Sequence, residues 1–189
     1  SIICNGILKS SFIMNNLGPF LRRRYSKTIK FIYKHVSPPS RIIDLGVKNK
    51  LSELLLSEGF CVENTHGEDL DIDFHSVQDE TIEVVTSFEV FEHLLAPYNI
   101  LREIKSKKLI ASVPLQMLFA KAYWNEMDER DRHFHEFERR QFDFLLEKTG
   151  WKIIDYELWT APIRKIGIRP FLRLFIPRYY IVYCERIPV

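Results

Sequence analysis

The sequence predicts an α/β fold in which a mostly parallel sheet is covered by helices on both faces. The first observation is an alternation along the chain. Short apolar runs, which are typical of buried strands, alternate with segments whose apolar residues recur at helical spacing. The second is composition: 46% of the 189 residues are hydrophobic and 28% are charged, as in ordinary globular domains. A chain of this length can bury one sizeable core, so we expect a single domain over residues 1–189.

Local patterns define the elements of the first half. Apolar residues of YSKTIKFIYKHV recur every three or four positions, and the prolines that follow end this helix within an N-terminal helical segment, residues 1–38. RIIDLG is a short buried strand. KLSELLLSEG is an amphipathic helix that Asn49 caps and Gly59 ends, and FCVENTH is a second strand. GEDLDIDFHSVQDE lacks helical spacing and is predicted to be a loop.

The second half continues the same alternation. The strands TIEVVTSFEV and KLIASVP flank APYNILREIK, a helix with a proline in its first turn. RRQFDFLLEKTG is a helix closed by Gly150, WKIIDYELW alternates like a half-exposed strand, and RYYIVYCER is a last strand. Ligands bind at the carboxyl ends of the strands in open sheets of this kind. DLGVKNK, residues 44–50, and SFEVFEH both follow such ends.

Charge and cysteine content restrict the environment more than the partner. The net charge of +2 indicates no particular ligand, although no acid precedes Asp44 and the tail IRKIGIRPFLRLFIPR is basic. These basic segments are either solvated faces or a surface for an anionic partner, such as a phosphorylated substrate or a membrane. Three separated cysteines predict a reducing, cytoplasmic location. No apolar run approaches the roughly 18–20 residues that a membrane span needs.

The order of these motifs resembles a known family. RIIDLG with its helix, EVVTSFEVFEHLLAPYNILREI, KLIASVP and HEFERRQFDFLLEKTGWKIIDYEL are similar, in this order, to the class I S-adenosylmethionine-dependent methyltransferases. They resemble a small bacterial branch with E-x-x-E-H-L after the fourth strand, over about residues 40–160. The resemblance implies a Rossmann-like three-layer sandwich of seven strands with an antiparallel last strand. The short loop predicts that this chain is shortened between strands 2 and 4. The resemblance also implies S-adenosylmethionine as cofactor and methyl transfer as activity.

The resemblance assigns the cofactor to three loops. Asp44 and Gly46 match the first motif, which is degenerate because Lys48 and Lys50 replace further glycines. The place of a ribose-binding acid falls on His66, and an adenine-side acid could be Asp69, Asp71 or Asp73. The stretch on the other side of the cofactor begins at Phe88. The residues expected to contact cofactor are Asp44, Gly46, Val47, His66, Glu68, Asp69, Phe88, Glu89 and Val90.

Lys48 and Lys50 leave several interpretations open. A non-glycine residue costs about 1 kcal/mol if its φ is positive and nothing otherwise, so cofactor binding can survive the replacement. Two ammonium groups beside a helix start would also attract phosphate. The alternative function is therefore a catalytically silent, methyltransferase-like protein that binds a nucleotide or phosphorylated ligand. Both lysines could equally point into solvent.

The segment AYWNEMDERDRHFHEFE lies in a predicted substrate-side insert, residues 115–138. His133 and His135 in this segment are candidate catalytic bases, as is His93, which matches a histidine of the family. The spacing of His133 and His135 also suits a metal with Asp131 as third ligand, but no fixed ligand pattern accompanies it and no metal is predicted. In the simpler interpretation, one histidine is a buried hydrogen-bonding residue.

A second predicted insert, residues 160–178, interleaves basic and large apolar residues. Arg169, Arg173 and Arg178 alternate there with phenylalanine, leucine and isoleucine, a mixture that is also typical of peripheral membrane contacts. No nucleic-acid-binding motif accompanies it, so a nucleic-acid partner is not expected. The predicted methyl acceptor is a small molecule or a glycan or lipid precursor.

Overall fold

The computed structural model describes residues 10–117, 122–160 and 177–187, which contain four labelled helices and a six-stranded sheet. The strands are β1 (Arg41–Leu45), β2 (Cys61–Asn64), β3 (Val84–Phe88), β4 (Lys108–Pro114), β5 (Trp151–Trp159) and β6 (Tyr179–Arg186). The helices are α1 (Pro19–His35), α2 (Lys50–Ser57), α3 (Pro97–Glu103) and α4 (Arg139–Lys148). A short helical stretch precedes α1 at residues 10–15. Three 3₁₀ turns lie at His75–Val77, Phe91–His93 and Glu129–Asp131.

The sheet has the order β2-β1-β3-β4-β6-β5. Neighbours among β1 to β4 are parallel, whereas β6 lies between β4 and β5 and is antiparallel to both. This confirms the predicted mostly parallel sheet with an antiparallel last strand. Between β2 and β3 the chain forms only loops and one 3₁₀ turn, so the predicted shortening is also confirmed and β2 is an edge strand.

Apolar residues cover both faces of the sheet and make the fold a three-layer sandwich. On one face, Ile43 and Val85 pack in a cluster with Leu101 of α3 and Phe142 of α4. On the other face, the adjacent residues Ile42, Val84 and Ile110 pack with α1 and α2. Successive strand residues point to opposite faces, so both faces of the strands are apolar, as expected for a buried parallel sheet.

The start of α2 shows how local sequence fixes the loop at the carboxyl end of β1. The Asn49 side chain accepts hydrogen bonds from the backbone N–H groups of Leu51 and Ser52, at 2.8 and 3.2 Å. The Ser52 hydroxyl accepts the Asn49 N–H in return, which completes a capping box. Helix α2 therefore begins directly after the loop that follows β1.

The predicted inserts lie only partly in the described chain. Residues 122–138 are mostly irregular, and a bridge between Leu115 and Phe137 joins this region beside the sheet. Arg169, Arg173 and the apolar residues around them lie outside the described residues, so membrane contact and a substrate-side role of the tail stay predictions. Within the described ranges, no helix has both the length and the apolar character that a membrane crossing requires.

Candidate active site

Asp44 lies near the carboxyl end of β1, where ligands are expected to bind, and is only 2% exposed. Its carboxylate accepts hydrogen bonds from Thr86 Oγ1 at 2.7 Å, Asn64 Nδ2 at 3.1 Å and Ser52 Oγ at 3.2 Å. Burial raises the pKa of Asp44 to about 6, although these three hydrogen bonds oppose the change. Because its partners come from β3, β2 and α2, Asp44 braces the elements around the loop.

Gly46 turns the chain at the end of β1 with a left-handed φ of +105°. Its N–H donates to Thr65 Oγ1 at 2.7 Å, and its carbonyl accepts a hydrogen bond from Asn64 Nδ2 at 3.1 Å. A Cβ at this position would lie 3.8 Å from Val90 Cγ2. The loop after β1 is thus fixed to the end of β2 and lies against the stretch that follows β3.

The two lysines of this loop do not strain it. Among the described non-glycine residues, only Glu89 has a positive φ, so Lys48 and Lys50 need no glycine-like conformation. Lys50 begins α2, and its Nζ lies 2.8 Å from Glu53 Oε2. Asn49 already accepts two N–H groups of the first turn, which leaves fewer donors there for a phosphate.

A cleft of about 360 Å³ opens beside this loop. Its lining includes Val47, Lys48, Val62, Asn64, Thr65 and His66. The cleft therefore lies at the carboxyl ends of β1 and β2 and along the open edge of β2. Its volume is within the range of about 300–1,000 Å³ that small-molecule sites have. A Cβ on Gly67 would lie 3.6 Å from Val47 Cγ1, so the loops after β1 and β2 approach closely.

The predicted ribose and adenine residues occupy different positions around the cleft. His66 is exposed and lines the cleft, while the Glu68 carboxylate accepts the His66 N–H at 2.6 Å. Asp69 is exposed and accepts the N–H of Asp71. Asp71 itself accepts the N–H groups of two residues just before α3, at 2.9 and 2.7 Å, and Asp73 accepts the His75 N–H. Asp71 therefore anchors the start of α3.

The stretch after β3 connects the cleft to the N-terminal helix. Phe88 ends β3, and the Glu89 N–H donates to the Ser112 carbonyl of β4 at 2.9 Å, with a φ of +57° at Glu89. The Glu89 carboxylate pairs with Arg24 of α1 at 2.7 Å. Val90 packs toward Gly46 as described above. The predicted residues Phe88, Glu89 and Val90 are thus adjacent to the loop of Asp44, Gly46 and Val47.

A polar cluster follows directly and consists of Glu92, His93 and His133, which we call the Glu–His–His cluster. Glu92 is 1% exposed, and in the described part of the chain neither carboxylate oxygen has a hydrogen-bond partner. One donor atom from each of the three residues lies within 4.8 Å of the others. Burial, together with Glu89 and Glu136, raises the pKa of Glu92 well above its usual range, and burial lowers the pKa of His93.

The structure separates the two histidines of residues 133–135. The rings of His93 and His133 are in edge contact, with centroids 4.8 Å apart, and His133 Nδ1 lies 3.0 Å from Glu136 Oε1. His135 instead stacks on Phe137 and places Nε2 3.3 Å from the Leu95 carbonyl. Of the three predicted catalytic histidines, two share one cluster and His135 lies outside it.

Several residues of this region were not among those predicted from sequence, namely Arg24, Ser52, Asn64, Thr65, Thr86, Glu92 and Glu136. Register could have indicated Asn64, because it ends β2 directly opposite Asp44. Glu92 is the second glutamate of the E-x-x-E-H-L stretch itself. The pairing of Arg24 with Glu89 had no local signal, since 65 residues separate them.

A family profile described as a methyltransferase domain matches residues 18–156, most of the chain. This chain belongs to the methyltransferase domain family. The predicted resemblance to S-adenosylmethionine-dependent methyltransferases is therefore confirmed. The matched residues include the Asp44 loop, the stretch after β3 and the Glu–His–His cluster. No curated protein matches this methyltransferase-domain chain in sequence.

Solved methyltransferase structures share the fold of this family member. An S-adenosylmethionine-dependent methyltransferase from Archaeoglobus fulgidus aligns with a TM-score of 0.60 and 13% identity, over 86% of this chain and 92% of that one. The methyltransferase in a complex with the Haloferax volcanii Trm112 methyltransferase activator has a TM-score of 0.58 and 13% identity, over 89% and 92%. Phosphoethanolamine N-methyltransferase 2 of Haemonchus contortus, in complex with S-adenosyl-L-methionine, has a TM-score of 0.56 and 10% identity, over 88% and 53%. At these identities the likeness shows the fold.

Proposed function

We propose that this protein binds S-adenosylmethionine in the cleft beside Gly46 and transfers its methyl group to an acceptor held near the Glu–His–His cluster. The observation that carries the proposal is the convergence of loops at the carboxyl ends of three neighbouring strands. Gly46 provides a left-handed turn that Thr65 and Asn64 hold in place, and Val90 lies against it. Family membership supports the same cofactor and reaction.

The residues around the cleft fit the chemical groups of this cofactor. Val47 and Val62 offer apolar surface for a purine, His66 a polar group for ribose hydroxyls, and Lys48 a positive charge for a carboxylate. When bound, S-adenosylmethionine would supply a methyl group from a sulfonium, so the acceptor needs a lone pair and loses a proton. The protein's main contribution to such a displacement is to hold the two reactants in line.

The chain's own groups near the acceptor are polar and partly buried. The N–H groups of Phe134 and His135 donate to the Glu92 carbonyl, which fixes residues 133–135 against the turn after β3. Glu136 holds the ring of His133 through Nδ1. This arrangement supports handling of the acceptor proton at the Glu–His–His cluster. The catalytic roles predicted for His93, His133 and His135 stay predictions, and the positions of His93 and His133 favour these two.

We also propose an acceptor with a negative charge, such as a phosphorylated small molecule or a glycan or lipid precursor. A small recess on the α1 side is lined by Arg23, Arg24 and Lys27 with the rings of Trp159 and Tyr179. Arg24 connects this recess to Glu89. Cations interleaved with aromatic rings suit an anionic group attached to an apolar or sugar body. Affinity for such an acceptor would fall as salt concentration rises.

Thermal denaturation with S-adenosylhomocysteine tests cofactor binding directly. At about 100 times its dissociation constant, this ligand should stabilise the fold by roughly 2.7 kcal/mol. For a chain of this size the melting temperature should rise by about 5–10 °C. Gly46→Ala forces a side chain onto a φ of +105°, which costs about 1–2 kcal/mol. If that strain falls on the bound conformation of the loop, affinity should fall about tenfold.

Gly59→Ala is the matched control, because Gly59 has a similar φ of +95° but lies at the other end of α2. Both variants should lose stability, and only Gly46→Ala should lose affinity for the ligand. Suppose that neither methylated nor demethylated cofactor changes the melting temperature while a nucleotide or phosphorylated sugar does. The catalytically silent alternative would then replace the proposal.

A further inference from the structure

Glu92 is a buried carboxylate without a compensating partner among the described residues. Its side chain is 1% exposed, and no described residue forms a hydrogen bond with either carboxylate oxygen. The ion-pairing group closest to it among the described residues is the His93 imidazole, whose Nε2 lies 3.9 Å from Oε1, too far for a hydrogen bond. A buried carboxylate of this kind is stable only when it is protonated, ion-paired with good geometry or bound to a metal.

The two histidines beside Glu92 are held in the form that binds metals. His93 Nδ1 lies 3.0 Å from the Arg132 carbonyl, an acceptor that fixes the proton on Nδ1. His133 Nδ1 lies 3.0 Å from the Glu136 carboxylate, which does the same. Each ring therefore keeps the lone pair of Nε2 as a ligand. A metal-bound histidine is usually oriented in this way, with its other nitrogen donating to a carbonyl or carboxylate.

We infer that Glu92, His93 and His133 form a binding site for one divalent first-row transition-metal ion. One donor atom of each residue already lies within 4.8 Å of the other two. A bound ion holds nitrogen and oxygen ligands at about 2.0–2.2 Å, so the donors draw together on binding. Glu92 can move toward the ion without breaking a hydrogen bond to any described residue.

The donor set indicates which ions the site takes. Two imidazoles and one carboxylate suit Zn²⁺, Mn²⁺, Fe²⁺, Co²⁺ or Ni²⁺, whereas Mg²⁺ and Ca²⁺ prefer sites made of oxygen. Three protein ligands leave coordination positions open. In the proposed reaction, on which this role rests, the acceptor's oxygen or nitrogen occupies an open position and loses its proton more easily.

A different ligand set is suggested by sequence spacing, namely His133 and His135 with Asp131. The structure gives these groups other partners. Asp131 Oδ2 accepts hydrogen bonds from Tyr123 Oη at 2.8 Å and Asn125 Nδ2 at 2.9 Å. His135 stacks on Phe137 and lies outside the Glu–His–His cluster. The two sets share His133 only, so substitution of the other members distinguishes them.

Metal binding is measured on the full chain after treatment with EDTA. Calorimetric titration with Zn²⁺ should show one site per chain, and Co²⁺ should give a visible ligand-field spectrum that Zn²⁺ abolishes. Glu136→Gln should weaken Zn²⁺ about 10–100-fold, because it removes the orienting partner of His133. Glu92→Gln, His93→Gln and His133→Gln should each weaken it by more than that. Mg²⁺ should not compete.

His75→Gln is the matched control for nonspecific binding, since His75 is an exposed histidine of the His75–Val77 turn. This variant, Asp131→Asn and His135→Gln should keep the wild-type affinity. Circular dichroism checks that every variant is folded. Wild-type protein without a stoichiometric site, or a Glu92→Gln variant with unchanged Zn²⁺ affinity, would overturn the inference.

A separate titration of metal-free protein with S-adenosylhomocysteine keeps this test distinct from that of the proposed function. Cofactor binding without a metal site removes the metal and leaves the methyltransferase proposal standing. A metal site in a protein that binds no cofactor would keep the metal site and remove the methyltransferase proposal.

Discussion

Two buried carboxylates at the same edge of the sheet differ in almost every respect except their burial. Asp44 and Glu92 are 2% and 1% exposed. Asp44 accepts three hydrogen bonds, from three different secondary-structure elements. Glu92 accepts none from the described residues through its side chain. One carboxylate is thus satisfied within the fold, while the other needs a proton or a ligand.

This difference separates a residue that builds the site from one that we propose acts in it. Nearly all buried polar groups in native proteins have hydrogen-bond partners, so each exception requires an explanation. The partners of Asp44 explain why it is buried, because they hold the β1 loop, β2, β3 and α2 together. Glu92 has no such structural explanation in the described chain, and it lies beside two oriented histidines. Strongly perturbed groups of this kind concentrate at functional sites.

Asp44→Ala should have the largest effect on stability. The change leaves the Thr86 and Ser52 hydroxyls without their carboxylate acceptor, whereas the Asn64 amide keeps the Gly46 carbonyl. Each buried donor without a partner costs about 1–3 kcal/mol, so the loss should be on the order of 4 kcal/mol. Urea denaturation should show this loss of unfolding free energy. Thermal denaturation should show a melting temperature lower by about 10 °C. A loss below 1 kcal/mol would mean that Asp44 is not a brace.

The pH dependence of stability should show the cost of ionising Asp44. Its pKa is about 6 in the fold and 3.8 ordinarily, so the folded state binds more protons between these values. Stability should therefore decrease as pH rises from about 4 to 6 and then level off. A shift of roughly two pKa units corresponds to about 3 kcal/mol.

Asp44→Asn isolates this contribution, because the amide cannot ionise. The difference in unfolding free energy between wild type and variant should change across pH 4–6 and be constant above it. Parallel pH profiles for the two proteins would show that Asp44 titrates near its ordinary pKa. The other carboxyl groups cancel in this difference, since both proteins carry them.

The strands and helices around Asp44 could be predicted from sequence to a large extent. Apolar periodicity gave the order of strands and helices, since burial on both faces leaves a direct pattern in β1, β3 and β4. The missing element between β2 and β3 followed from the length of one loop. The partners of Asp44 did not follow, because Asn64 and Thr86 are distant in sequence and meet Asp44 only through strand register.

The surroundings of Glu92 were less predictable from sequence. The resemblance indicated His93, and the residue types of segment 122–138 indicated His133 and His135 together, but the structure places the His135 ring apart from the other two. The N–H groups of Phe134 and His135 donate to the Glu92 carbonyl, whereas the His133 N–H donates to the Tyr123 carbonyl. The rings of His133 and His135 contact different neighbours. Whether Glu92 has hydrogen-bond partners depends on the packing of the turn after β3, and no local pattern reports that packing.

Glu92→Gln should have the smallest effect on stability and is the sharpest test of the comparison. In metal-free protein with EDTA present, the unfolding free energy should change by less than about 1 kcal/mol, toward greater stability. The substitution keeps the side-chain shape, removes a group that is costly to ionise and breaks no hydrogen bond to a described residue.

Glu136→Gln is the comparison variant. Glu136 accepts hydrogen bonds from His133 and the Tyr123 N–H, so this variant should lose more stability. Added Zn²⁺ should then raise the melting temperature of wild type and leave that of Glu92→Gln unchanged. A loss of 2 kcal/mol or more on Glu92→Gln in EDTA would show that Glu92 is held by the fold as Asp44 is.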